Sequence, residues 1–85
     1  MAVAILYFAS LREALSCAAE DVDLPEDVTT LGALADWLAS RSPAYAAAFA
    51  DRTRLRGAID QQVAGFDAPI AHAREIAFFP PVTGG

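Results

Sequence analysis

Residues 3–8 form an unbroken apolar run, Val-Ala-Ile-Leu-Tyr-Phe, and this run limits the folds that are open to the chain. It is too short for a helix and contains β-branched and aromatic side chains, so it predicts a strand. Because both alternating sets of side chains are apolar, we expect the strand to be buried on both faces. Such a strand must lie in the interior of its sheet, with a neighbour on each side.

Two helices are predicted in the middle of the chain. Thr29 or Thr30 can cap a helix that runs to about Arg41. The apolar residues of this segment recur at helical spacing and form one stripe: Leu31, Leu34, Ala35 and Leu38. Ser42 before Pro43 is typical of an N-cap followed by the first helical residue, and it predicts a short Ala-rich helix through residue 49. The stripe indicates that the first helix packs against a sheet.

Alternating side chains predict the remaining strands. Residues 21–24 alternate acidic with apolar side chains before a proline, which fits an edge strand or the return strand of a hairpin. Residues 54–60 alternate in the same way with one charged face, followed by a turn at 60–62 and a short strand at 63–66. After a turn at 67–69, residues 74–79 form the last strand, with Ile76 and Phe78 on one face and Ala77 and Phe79 on the other.

This order of elements predicts an α+β fold. Two strands, a main helix, a shorter helix and three further strands fit one mixed sheet with the main helix packed across one face. We expect the first and last strands to be parallel neighbours at the centre, which is the ubiquitin-like β-grasp arrangement. Residues 1–79 are predicted to form this domain. Residues 80–85 are predicted to be an extended, flexible tail, because Pro80 and Pro81 cannot donate to a ladder and favour a polyproline-like path.

Composition and charge exclude several classes of function. Eleven acidic residues stand against six basic ones, giving a net charge of −5 with no basic cluster, which argues against nucleic-acid and anionic-membrane binding. The chain has no Lys, which a P-loop requires. Its single Cys17 excludes an internal disulfide and a cysteine-rich metal site. The same cysteine usage predicts a reducing, cytoplasmic compartment and no metal. No apolar run approaches the ~20 residues that are needed to span a bilayer.

Residues 78–85 read Phe-Phe-Pro-Pro-Val-Thr-Gly-Gly, and the final Gly-Gly pair indicates acyl chemistry at the terminal carboxylate. Two residues without Cβ can pass through a channel too narrow for any other pair, leaving the terminal carboxylate as the functional group at the tip. A carboxylate is a poor acyl donor until it is activated, so the tip implies an ATP-using partner that forms an acyl-adenylate, followed by a nucleophile. The domain is therefore predicted to be a substrate or carrier, not an enzyme.

Three segments together resemble the small sulfur-carrier subunits of molybdopterin synthase, also called molybdopterin-converting factor subunit 1. They are residues 5–13, the helix after residues 29–30, and residues 76–85 with the Phe-Phe-Pro-Pro-Val-Thr-Gly-Gly ending. The likeness covers essentially the whole chain, and this ending is highly specific, whereas Gly-Gly alone would indicate only a ubiquitin-like protein. The sequence departs from the family before the last strand, where Ala73-Arg74-Glu75 replaces a common Gly-Asp-Glu.

The resemblance implies a defined reaction at Gly85, with Gly84 beside it to keep the tip slim. An adenylyltransferase of the ubiquitin-activating type would use ATP to adenylate Gly85, and sulfur would then replace the adenylate to give a thiocarboxylate, or 1-thioglycine. The tail would enter the large catalytic subunit and donate sulfur to cyclic pyranopterin monophosphate, which forms the molybdopterin dithiolene. The family assembles two small with two large subunits, and the chain itself would bind no cofactor.

We expect the partner to contact the root of the tail and the tail itself. The predicted contact residues are largely apolar: Phe8, Val63, Phe79, Pro80, Pro81, Val82 and Thr83. Three arginines, Arg12, Arg54 and Arg56, are interpreted as solvated surface charge, with an acidic partner rim as the alternative. Cys17 is interpreted as an apolar filler and His72 as a surface turn residue, because nothing near them in sequence would activate either.

Other functions remain open for the same tail. A sulfur carrier for thiamine, cysteine or tRNA thiolation shares every step except the last. A ubiquitin-like modifier would instead form isopeptide bonds between Gly85 and the lysines of target proteins. A free-standing hydrolytic or redox enzyme is disfavoured by the single Cys and the single His.

Overall fold

The structure, a computed structural model, describes residues 2–81. Within these residues five strands form one mixed sheet in the order β2-β1-β5-β3-β4. The strands are β1 (Ala2–Tyr7), β2 (Ala19–Asp23), β3 (Arg56–Ile59), β4 (Gln62–Ala64) and β5 (Glu75–Phe79). The helices are α1 (Ser10–Leu15), α2 (Leu31–Ala39) and α3 (Pro43–Ala48), and a single 3-10 turn covers Arg52–Arg54.

The first and last strands lie side by side and parallel, as predicted. In their register Ile5 faces Ile76 and Tyr7 faces Phe78. The other neighbours, β2 on β1 and β3 on β5, are antiparallel. The β-grasp prediction is therefore confirmed, and β5, which leads into the tail, occupies the middle of the sheet.

The apolar core fills the space between one face of this sheet and α2. The helix side is the predicted stripe, which is fully buried: Leu31, Leu34, Ala35 and Leu38. The strand side comes from alternate residues of the two central strands: Val3, Ile5, Tyr7, Ile76 and Phe78. Gly57 on β3 lets this strand approach α2 closely, because a Cβ there would lie 2.6 Å from a methyl carbon of Leu31. Three aromatic rings complete the core in edge-to-face contacts, with Phe49 between Tyr7 and Phe78.

Both predicted helix caps are present. The hydroxyl of Thr30, rather than that of Thr29, accepts a hydrogen bond from the Ala33 N–H at 3.1 Å and starts α2. The hydroxyl of Ser42 does the same for the Tyr45 N–H at 3.3 Å, with proline at the first position of α3. The end of α2 lies at Ala39, slightly before the predicted Arg41.

Several elements differ from the sequence prediction. The strand β2 lies at Ala19–Asp23 and not at 21–24, β3 lies at Arg56–Ile59 and not at 54–60, and the 3-10 turn was not predicted. The helix α1 was not predicted, because six residues offer only Leu11 and Leu15 as apolar positions one turn apart. The strand β4 ends at Ala64, not at residue 66, because the chain then leaves the sheet and hydrogen-bonds to the first turn of α2. The carbonyl oxygen of Phe66 accepts a hydrogen bond from the Gly32 N–H at 2.8 Å and satisfies a donor in the first turn of α2.

The segment before β5, where Ala73-Arg74-Glu75 departs from the expected pattern, is held by the β3–β4 turn. Asp60 and Gln61 form this turn with positive φ angles of 48° and 73°. One carboxylate oxygen of Asp60 accepts hydrogen bonds from the N–H groups of Arg74 and Glu75, each at 3.0 Å. An acidic side chain thus fixes the start of β5.

Candidate functional site: the root of the tail

The root of the tail is held by hydrogen-bonded strands on both sides. On one side the Phe8 N–H donates to the Phe78 carbonyl oxygen at 3.1 Å, and on the other side Arg56 pairs with Phe79. The strand β5 ends at Phe79 because the two following prolines have no N–H. The chain therefore leaves the sheet from β5, the middle strand, which has a hydrogen-bonded neighbour on each side. The predicted site residues Val82, Thr83, Gly84 and Gly85 lie outside the described residues, so their roles remain predictions.

A hollow of about 350 Å³ lies beside the root. It is lined by Pro80 and Pro81 together with Ser10 and Arg54. Ser10 opens α1 and Arg54 closes the 3-10 turn, and the sequence reasoning predicted neither element. For the 3-10 turn a signal was present in Asp51, whose carboxylate caps it by accepting from the Thr53 N–H at 3.0 Å. Hydrogen bonds from the Thr53 hydroxyl and N–H hold the pKa of Asp51 below its ordinary value.

The sheet has one open face, opposite the core, and apolar side chains run across it. Strand pairing places Leu6, Ala77, Ala58 and Val63 in one row over four strands. Val63 is 73% exposed at the edge strand β4, and Phe79, two residues after Ala77, is half-buried on the same face. Two of the three predicted patch residues therefore share the open face.

Phe8, the third predicted patch residue, lies directly after β1 at the root. It is 47% exposed and therefore lies at the surface. The register of β1 and β5 places it next to Phe79, while Val63 lies further away at the sheet edge. The structure brings Phe8 and Phe79 together at the root, and partner contact by all three residues remains a prediction.

A polar cluster that the sequence reasoning missed joins β2 to the α2–α3 corner. Oε2 of Glu20 accepts hydrogen bonds from the hydroxyls of Tyr7 at 2.8 Å and Tyr45 at 2.6 Å. Its Oε1 receives the guanidinium of Arg41 at 2.9 Å. Arg41 also lies over the rings of Tyr45 and of Trp37, and both rings pack against the core. No short-range pattern could show this cluster, because its members lie far apart in sequence.

The ionisation of the cluster follows from its contacts. Burial raises the pKa of Tyr7 and of Tyr45, and the hydrogen bond to the Glu20 carboxylate raises each further. Burial also acts to raise the pKa of Glu20, but the hydrogen bonds from Tyr45, Tyr7 and Arg41 outweigh it and lower that pKa. The carboxylate is charged and accepts three hydrogen bonds, which suits a structural clamp and not an acid–base catalyst.

The remaining candidate groups show no catalytic arrangement. Cys17 is half-buried, and its thiol contacts the Ala19 carbonyl oxygen at 3.4 Å. His72 is exposed in the turn before β5. Among residues 2–81 no three His, Cys, Asp or Glu side chains are placed to hold a metal ion. None of the helices in this part of the chain is long and apolar enough to cross a membrane.

Known proteins resemble this chain along its full length. It is 39% identical over 83 residues to the molybdopterin synthase sulfur carrier subunit of Escherichia coli, covering 98% of this chain and 99% of that protein. It is 36% identical over 81 residues to the subunit of the same name from Haemophilus influenzae, covering 95% and 96% of the two chains. The crystal structure of SAMP1 from Haloferax volcanii superposes with a TM-score of 0.77 at 26% identity, over 100% of both chains.

The family match covers both the domain and the diglycine. The model of the ThiS family matches residues 5–85, from Ile5 in β1 to the last glycine. The sequence resemblance, the β-grasp topology and these relatives agree. The chain belongs to the ThiS family.

Proposed function

We propose that this protein is the sulfur-carrier subunit of a molybdopterin synthase and that catalysis takes place on its partner. The observation that carries the proposal is the 39% identity, over 98% of the chain, to the E. coli subunit of that name. The geometry of the root supports it, because the central strand β5 ends at Phe79 and the following Pro80 and Pro81 have no N–H with which to continue the ladder.

The proposed reaction uses the carboxylate of Gly85. Its oxygen attacks the α-phosphate of ATP held by an activating adenylyltransferase, which releases pyrophosphate and leaves an acyl-adenylate. A sulfur nucleophile then displaces AMP, so that one carboxylate oxygen is replaced by sulfur. Because ATP belongs to the activating partner, this chain needs no nucleotide site. Gly84 and Gly85 offer the least hindered approach to the reacting carbonyl.

The proposed recipient of the sulfur is the large subunit of the synthase. The tail enters that subunit and gives its sulfur to cyclic pyranopterin monophosphate, after which Gly85 is a carboxylate again. The open apolar face with Val63 and Phe79, together with the exposed Phe8, is the proposed docking surface. We propose an assembly of two small and two large subunits, as in the family that the sequence resembles.

The mass of the intact chain tests the proposal. After co-expression with the activating enzyme and a sulfur source, we expect a gain of about 16 Da, since sulfur replaces oxygen at Gly85. A variant without Gly84 and Gly85 is the control, and its mass must stay constant. In cells that lack their own carrier, wild-type protein should restore molybdoenzyme activity and the truncated variant should not. An unchanged wild-type mass, under conditions that convert the E. coli carrier, would refute the proposal.

The same preparation separates the alternatives. A protein modifier would produce a ladder of conjugates on denaturing blots that survives thiol treatment, whereas a sulfur carrier would not. A carrier for another thiolation pathway would gain the same mass but co-purify with a different large partner. Either result would replace molybdopterin synthase as the proposed destination.

A further inference from the structure

The charged residues are distributed unevenly along the strand direction of the sheet. We call the end where β1 and β5 finish and β3 begins the tail end, and the opposite end the far end. At the tail end the Phe8 N–H donates to the Phe78 carbonyl oxygen, and the Ala18 carbonyl oxygen accepts from the Tyr7 N–H. Because α1 lies between Phe8 and Ala18 in the chain, it belongs to the tail end as well. The 3-10 turn directly before β3 belongs there too.

The tail end carries more positive than negative charge, although the chain as a whole carries −5. Three arginines lie there, Arg12, Arg54 and Arg56, which we call the arginine collar, against the two carboxylates of Glu13 and Asp51. The neighbouring Arg52 is already paired with Asp36. The far end carries Arg74 together with six carboxylates: Asp21, Asp23, Glu26, Asp27, Asp60 and Glu75.

The collar is available to a partner. In residues 2–81 the ion pairs within 4 Å involve Arg41 and Arg52, not the collar. The charge of Arg54 acts on Asp51 through space, but the Asp51 carboxylate accepts its hydrogen bonds from Thr53 and forms no ion pair with Arg54 within 4 Å. Arg54 itself lines the hollow beside Pro80 and Pro81.

Local contacts hold Arg56, another arginine of the collar, at the root. The guanidinium of Arg56 donates to the carbonyl oxygens of Leu55 at 3.0 Å and Thr53 at 3.4 Å. Arg56 is also the register partner of Phe79. A guanidinium bound only to carbonyl oxygens keeps donors free for a carboxylate.

We infer that the arginine collar docks on carboxylates that rim the channel through which the large subunit accepts the tail, and that the charge asymmetry orients the carrier tail first. This inference rests on the proposed function. A negative rim attracts the collar and repels the carboxylate-rich far end, so the wrong orientation is disfavoured before contact. Complementary charge of this kind acts mainly on the association rate, while the apolar face accounts for the lifetime of the complex.

The test measures the rate of association between the full-length carrier and the purified large subunit by stopped flow at low and at physiological salt. Arg54→Glu removes a collar charge, and Arg74→Glu is the matched control, with the same change in net charge at the far end. We expect Arg54→Glu to slow association about tenfold at low salt and to weaken its salt dependence. Arg74→Glu should change the rate less than about twofold, and Arg54→Lys should retain most of it.

Equal rates for Arg54→Glu and Arg74→Glu would overturn the inference, and so would a wild-type rate that does not depend on salt. Both results leave the proposed function intact, because the wild-type chain would still bind the large subunit and gain sulfur. If the wild-type chain fails to bind the large subunit at all, both the inference and the proposed function fall.

Discussion

Glu20 joins three parts of the fold through one carboxylate. It lies on the edge strand β2 and holds a tyrosine from β1, a tyrosine from α3 and an arginine from the segment between the helices. The side chain of Glu20 is only 18% exposed, so these bonds are largely shielded from water. Hydrogen bonds to a charged group that is shielded in this way contribute more than neutral ones.

Glu20→Gln should therefore destabilise the protein in a pH-dependent way. At pH 7 we expect a loss of about 1–3 kcal/mol in the free energy of unfolding, because the charged acceptor is removed. The folded pKa of Glu20 is lowered, so its stabilisation is present above the unfolded pKa, about 4.3, and is lost as the pH falls through the folded pKa. The gap between wild type and variant should thus narrow in acid, as measured by urea unfolding across pH 3 to 7.

Glu26→Gln is the control for this measurement. It makes the same change in charge on an exposed residue in the loop after β2. Its stability curve should follow that of the wild type across the pH range. A gap between Glu20→Gln and wild type that stays constant into acid would show that the cluster stabilises the fold by packing alone.

At the scale of elements, the caps and stripes of α2 and α3 were predictable because their signals lie within a few residues of one another. Thr30, Ser42 and Pro43 act at the positions where their chemistry places them. The short α1 was not predictable in this way, since it is held by contacts with α3 and β5. The 3-10 turn does have a local signal, the Asp51 side chain that caps it. The early end of β4 also depends on a distant element, because Phe66 caps α2.

The two adjacent threonines before α2 allow a matched test of its cap. Thr30→Ala removes the hydroxyl that accepts from the Ala33 N–H, and we expect a loss of about 1 kcal/mol in the free energy of unfolding. Thr29→Ala deletes the same atoms from an exposed neighbour whose side chain caps nothing, and should cost less than about 0.5 kcal/mol. Equal losses in urea unfolding would mean that the first turn of α2 is fixed by the 66–70 segment and not by the hydroxyl.

At the scale of the whole molecule, the sheet has two faces with different roles. The core face is covered by α2 and was predictable from alternation in β5 and from the apolar stripe of α2. The strand β1, expected to be buried on both faces, has one buried face, and Ala4 and Leu6 on its other face are only half-buried. Alternation also predicted that Phe79 lies opposite Phe78, but not that the row from Leu6 to Val63 would be continuous over four strands. That continuity depends on strand order and register, which are set by the tertiary fold. The same holds for the arginine collar, whose members come from α1, the 3-10 turn and β3.

The open face can be tested on a single strand. Val63 and Gln62 are neighbours on β4, are both exposed, and point to opposite faces of the sheet. An aspartate at either position carries the same cost in β-propensity and the same added charge. If the open face docks on the large subunit, Val63→Asp places a charge in an apolar contact and should weaken binding by at least about tenfold. Gln62→Asp should change the dissociation constant less than about twofold, and titration calorimetry with the large subunit measures both. Equal effects of the two variants would mean that the partner does not use the open face, and that the tail and its root account for binding.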